Sequence, residues 1–245
     1  MVKESGLAHA LFVDGYDLSG DTGSVDTIAL RRNALDVTGI DKSATERITG
    51  LVDAELAFSS WFNPSVLQEH VALSVLPAAD KQVMYFAGAT VGANGFAFVS
   101  KQLDYAPSRA ADGSLAIKVQ CVGSDGNWPL WGDMLTTGKQ VFTGAANGTS
   151  VDYTAASTTF GAAAFLQVFA FSGTSATFTV EDSANDSTFA AITGLGFTAA
   201  TGRTTQRLAT ATGATIRRYV RIAVTGTFSS CTAAVLFRKF EVAQS

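Results

Sequence analysis

The sequence predicts a mainly β protein with one flanking α-helix, and three observations predict it. Apolar and polar residues alternate with period two through most segments, β-branched and aromatic residues fill those segments, and Gly, Asp, Asn and Ser punctuate them. Strands are expected at 7–14, 51–62, 82–87, 95–105, 114–122, 162–172, 175–182, 216–224 and 231–240.

The first of these, LFVDGYDL, runs into SGDTGSVDT, which places Asp14, Asp17, Asp21 and Asp26 among three glycines. A calcium loop needs oxygen ligands at fixed odd spacings and a closing bidentate Glu. Here Gly15 follows Asp14 at once, Asp17 stands three residues on, and no Glu falls at the twelfth position. The stretch reads instead as a strand ending in a turn whose side chains bond their own backbone. In strand 51–62, Asp53, Glu55, Ala57 and Ser59 share one face, with Val52, Leu56, Phe58 and Phe62 on the other. That is a wall with a wet and a dry side.

The helix is read from FNPSVLQEHVALSVLP, with Asn63 as N-cap, Pro64 at the first helical position and Pro77 beyond the end. Leu67, Val71 and Ser74 share a face, flanked by Val66, His70 and Leu73, so a broad stripe can cover a sheet. His70 is expected to be a satisfied core or edge histidine rather than a ligand. GATVGANG at 88–95 lacks the GxGxxG spacing and reads as a hairpin loop. Composition turns small and polar over 143–160, which marks a domain boundary near 146. In ATIRRYVRIAV, Ile216, Val220, Ile222 and Val224 share one face, while Arg217, Tyr219 and Arg221 lie on the other. Such a face could contact a glycan or phosphate, or could be a solvated surface held by cross-strand pairs.

The chain has 245 residues, enough for a real core. Hydrophobic residues make up 47% and charged residues 16%, so burial of surface against other copies would account for the sparse charge. A net charge of −4 argues against a sequence-reading nucleic-acid binder, though not against a conduit for nucleic acid. The N-terminus shows no secretory signal, and the longest apolar run, 160–171, is too short to span a bilayer. A soluble product of the cytosol is expected. Cys121 and Cys231 lie in apolar strands and read as buried free thiols. With His9 and His70 the only histidines, and no HExxH, CxxC, Walker loop or GxSxG, no catalytic constellation assembles; no metal and no cofactor is expected.

The runs LFVDGYDLSGDTGSVDT, LDVTGIDKSATERITGLVDAELAFSSWFNPS and KQLDYAPSRAADGSLAIKVQ resemble the major tail (tail tube) proteins of long-tailed phages and prophages of actinobacteria, over most of 7–135. TVEDSANDSTFAAI and RRYVRIAV resemble the small β-sandwich modules appended to phage tail proteins, over about 160–240. The resemblance implies a tail-tube-like β-sandwich or barrel with one flanking helix at 1–146, carrying an arm loop at about 19–50, and a C-terminal β-sandwich, Ig-like or jelly-roll-like, at 147–245. It implies a structural virion protein whose hexameric rings stack into a tube for DNA ejection, with tape-measure, tail terminator or baseplate proteins as partners. Asp53, Glu55, Ser59, Lys118 and Gln120 would then line the lumen, the acids repelling phosphates, with Lys118 balanced by Glu55. The alternative is a carbohydrate-binding or host-adhesion module that uses Arg217, Tyr219 and Arg221.

Overall fold

The computed structural model describes residues 6–155 and 157–242; Lys3 and Glu4, on which the reading of the N-terminus leans, lie outside them. Among the described residues the chain is mainly β, with sixteen strands and one short helix. In chain order these are β1 (Ala10–Val13), β2 (Tyr16–Asp17), β3 (Thr22–Asp36), β4 (Arg47–Trp61), α1 (Glu69–Leu73), β5 (Lys81–Phe86), β6 (Asn94–Gln102), β7 (Ala106–Arg109) and β8 (Leu115–Gly123). There follow β9 (Leu130–Met134), β10 (Gln140–Phe142), β11 (Ala146–Asn147), β12 (Val151–Asp152), β13 (Ala162–Ser183), β14 (Ala190–Gly196), β15 (Thr204–Ala209) and β16 (Tyr219–Lys239).

The chain forms two compact units: residues 1–19, 82–97 and 130–245 in the first, 20–81 and 98–129 in the second. This division differs from the one expected near 146. The reason is β16, which pairs with β9 at Leu236 and Phe237, with β10 at Cys231–Ala233, with β11 at Ala223–Val224 and with β12 at Tyr219–Val220. Within the small, polar text of 143–160, β11 and β12 are short strands paired with that long partner.

In the first unit, β13 and β16 pair antiparallel from Ala162↔Lys239 to Ser183↔Tyr219. The strands expected at 162–172 and 175–182 are one strand, and those at 216–224 and 231–240 are also one. The other edge of β13 carries β15 and β14. Leu166, Val168, Phe178 and Val180 of β13 meet Val220, Ile222, Val235 and Phe237 of β16 in one core, joined by Leu135, Phe142, Leu195 and Cys231. Phe142 and Phe178 stack edge to face at 5.7 Å. The aspartate-rich opening resolves at Asp14–Gly15, both at positive φ (52° and 78°), the two-residue turn of a β1–β2 hairpin. Gln167 fixes it, accepting from Gly15 N at 2.9 Å and donating to Gln82 O at 3.0 Å.

In the second unit β4 lies between β3 and β8, and β8 carries β6 and β7 on its far edge. Leu56↔Cys121 and Phe58↔Val119 are buried cross-strand pairs on one face. The helix is shorter than expected. Asn63 does not cap it: its Oδ1 accepts from Ser65 N at 3.1 Å, which closes a local turn, and helical backbone begins only at Glu69. The covering side chains are Glu69, Ala72 and Leu73, whereas Val66 and Val71 are exposed, so the stripe expected from Leu67, Val71 and Ser74 faces outward. His70 Nδ1 lies 2.6 Å from the Tyr105 hydroxyl. Cys121 and Cys231 are buried free thiols, one in each unit, and burial pushes them up to about 12 and about 11. No helix among the described residues is long and apolar enough to cross a membrane.

Candidate functional site

Alternation along β4 builds the candidate surface. Ala54, Leu56, Phe58 and Ser60 are buried, while Asp53, Glu55, Ala57 and Ser59 stand on the opposite, partly exposed face. The register sets Ser59 beside Lys118 and Ala57 beside Gln120, so Asp53, Glu55, Ser59, Lys118 and Gln120 come to one face of the β4–β8 pair. On the other side of β4, Arg31 lies opposite Asp53 and Ala29 opposite Glu55.

The face is wired rather than a bare run of acids. Glu55 accepts from Gln120 Nε2 at 2.8 Å and pairs with Arg31 at 2.8 Å. Ser59 Oγ donates to Asp26 at 3.0 Å. Asp53 accepts from the Ala54 amide at 2.8 Å. The expected Lys118–Glu55 balance is therefore replaced: Glu55 pairs with Arg31, and Lys118 stands opposite Ser59 and Ala106. Arg31 and Asp26 join this face from β3, inside the segment expected as an arm loop, where Ile28 and Leu30 alternate with Thr27, Ala29 and Arg31.

Beyond this face the β3–β4 pair continues as an ordered hairpin in place of the loop expected at 19–50. From Leu30 to Asp36 and from Arg47 to Thr49 every residue is exposed, and Leu51 is 90% exposed. Leu35 pairs with Ile48, both outward. The tip is closed by Thr38, whose hydroxyl donates to Asp36 at 2.6 Å and accepts from Glu46 N at 2.8 Å. Among the described residues β3 pairs with β4 alone, which leaves a fifteen-residue strand with one edge open.

The Arg217, Tyr219 and Arg221 face is already engaged. Arg217 binds Asp182 through its backbone N at 2.7 Å and its guanidinium at 2.7 and 2.8 Å. Arg221 binds Glu181 across the β13–β16 pair at 2.8 and 2.9 Å and stacks over Phe189 at 3.9 Å. Arg218 forks onto Asp152 and lies 4.9 Å from the Tyr219 ring. The four opening aspartates disperse: Asp17 pairs with Lys139 and Asp26 accepts from Ser24 and Ser59. No group of three His, Cys, Asp or Glu that could hold a metal occurs among the described residues.

No protein-family model and no curated protein matches the sequence. Among solved structures, the chain is similar to one from the virion of a native gene transfer agent particle, with a TM-score of 0.40 and 9% identity over 53% of this chain and 98% of that one. It is also similar to the SPP1 Dit (gp 19.1) protein, with a TM-score of 0.33 and 11% identity over 95% and 100%. A chain of the phage p2 baseplate in its activated conformation gives a TM-score of 0.36 and 8% identity over 96% and 100%.

Proposed function

We propose that this chain is a structural, self-assembling subunit of a phage tail, in which six copies form a ring and rings stack into a tube that conducts DNA. The observation that carries this reading is the projecting half of the β3–β4 hairpin. An isolated two-stranded ribbon is marginal in water. This one shows Leu30, Leu35, Ile48 and Leu51 to solvent and leaves the β3 edge open. Monomers normally avoid such an edge, and pairing with a neighbouring copy removes the liability. The sequence resemblance over 7–135 supports the same reading.

In the ring, the face of Asp53, Glu55, Ser59, Lys118 and Gln120 lines the channel. Its mixed charges and internal hydrogen bonds leave few free cations to release counterions on phosphate, so a polyanion slides. The carbohydrate-binding alternative has less to support it, because the Arg217 and Arg221 guanidinium groups are already held by carboxylates.

Light scattering and negative-stain imaging of the purified chain test the proposal. Rings or tubes are expected at micromolar concentration, and Leu35→Asp with Ile48→Asp should leave a folded monomer. A wild-type chain that stays monomeric overturns the reading. Particles carrying Asp53→Lys and Glu55→Lys should eject DNA slowly, most of all at low salt; unchanged ejection through intact tubes would move the lumen to another face.

A further inference from the structure

The second unit contains a buried carboxyl with nothing to bond. Glu69 is 0% exposed, and among the described residues neither of its carboxyl oxygens has a hydrogen-bond partner. A second buried carboxyl stands beside it. Asp21, at the foot of the β3–β4 hairpin, accepts from Asn63 Nδ2 at 2.9 Å and from the Glu69 backbone N at 3.2 Å. Its backbone carbonyl accepts from Trp61 N at 2.8 Å and Ser60 Oγ at 3.1 Å. Asp21 thus ties the hairpin foot to the 63–76 segment through hydrogen bonds to its carboxyl and its carbonyl. Glu69 has no such bonds, so of the two it is the one that keeps a proton.

The segment Glu69 belongs to is held rather than relaxed. Leu67 (φ 69°) and Leu76 (φ 44°) bracket α1 in the left-handed region, which costs a leucine steric strain. The helix has five residues and no side-chain bond at its N-cap, Gln68. What retains it is Glu69 N and Asn63 Nδ2 on Asp21, His70 Nδ1 beside the Tyr105 hydroxyl at 2.6 Å, Gln102 Nε2 on Leu73 O at 2.8 Å, and the burial of Ala72 and Leu73.

We propose that Glu69 and Asp21 form a proton-operated latch, which holds the 63–76 segment against the hairpin foot while Glu69 is protonated and releases it when that proton leaves. An ionised Glu69 would be an unpartnered charge in a buried site beside a like charge, and opening the strained segment hydrates it. Burial, and then the Asp21 charge, push the Glu69 carboxyl up to about 7, against a weaker downward pull from the Asn63 backbone N–H, which falls short of hydrogen-bond geometry. The ionisable groups facing it are Asp21, from the β2–β3 connection, and Tyr105, which precedes β7; burial and then the Glu69 charge push the Tyr105 phenol up to about 12. His70 adjoins it on α1. Because the closed form binds the proton more tightly than the open one, closure is strongest below the ordinary carboxyl range, near 4.5. It weakens as pH rises from there and is weakest above about 7. The inference rests on the second unit alone and does not require tube assembly.

Hydrogen exchange of the full chain at pH 5.5 and 8.5, corrected for the intrinsic pH dependence, tests it. In wild type the protection of amides 68–76 should fall about thirtyfold between the two, given a midpoint near 7 closed and near 4.5 open. Glu69→Gln should flatten the dependence, and Asp21→Asn should move the transition to lower pH. His70→Gln should leave it in place, which matters because histidine changes charge in the same range. Equal wild-type protection at both pH values, or an unchanged dependence in Glu69→Gln, overturns the latch. Should Glu69→Gln fail to fold, carbon NMR of the wild-type Glu69 carboxyl decides: a midpoint near 7 supports the latch, and one near 4.5 overturns it.

Discussion

The molecule contains two long antiparallel ribbons that differ in what surrounds them. In the first unit β13 and β16, of 22 and 21 residues, carry further strands on both outer edges and a shared apolar core. In the second, β3 and β4 are 15 residues each: β4 meets β8 from Glu55 to Trp61, and beyond that no further strand among the described residues pairs with either member, although the Arg32 guanidinium lies 4.8 Å from the Trp128 ring. The same local element is thus covered along its length in one place and left with an uncovered outer half in the other. Local propensity makes a ribbon in both, and burial decides whether it is finished.

Removing what completes the first ribbon should have the largest effect. A chain ended after Asn147 keeps β9, β10 and β11 but loses β13 and β16, so the first unit should give no cooperative unfolding transition. A fragment that melts cooperatively with both transitions intact would make the buried ribbon dispensable. Phe178→Ala empties the core beside Phe142 and should cost about 3–5 kcal/mol in denaturant unfolding, seen as a lower midpoint at constant slope. A smaller effect, about 1–3 kcal/mol, is expected for Gly226→Ala, which puts a methyl on a residue at φ 127° with its carbon 2.2 Å from Ser175 O. At the far end, Leu35→Asp with Ile48→Asp should change monomer stability by less than about 0.5 kcal/mol per site. A loss above that would show that the projecting half already packs within its own chain.

Alternation puts Asp53, Glu55 and Ser59 on one face of β4, because that strand has one buried side; that Lys118 and Gln120 lie beside them comes with the tail-tube resemblance, and only the register shows the pairing. β3 was harder to read. Its outer half has no buried face, so Arg31, Arg32 and Asn33 break the pattern that would mark a strand. The helix start misled because Asn63 and Pro64 suit an N-terminus, yet the Asn63 amide is taken by Asp21 and its carbonyl oxygen by Ser65. The splitting of β13 and β16 has a different cause. Gly173 and Gly226 fall in the gaps between the expected strands, yet they sit where the two backbones approach: a Cβ on Gly173 would lie 2.3 Å from Phe228 Cα. No local signal showed Asp182 and Glu181 as partners of Arg217 and Arg221, since 35 and 40 residues separate them.

The placement of one cysteine in each unit turns the protein into its own two-channel recorder. A thiol that is buried and held far from its thiolate form reacts with an alkylating reagent only when its surroundings open. Cys121 therefore timestamps the opening of the second unit and Cys231 that of the first. Mass spectrometry of a single labelled sample separates the two by peptide, with no engineered probe.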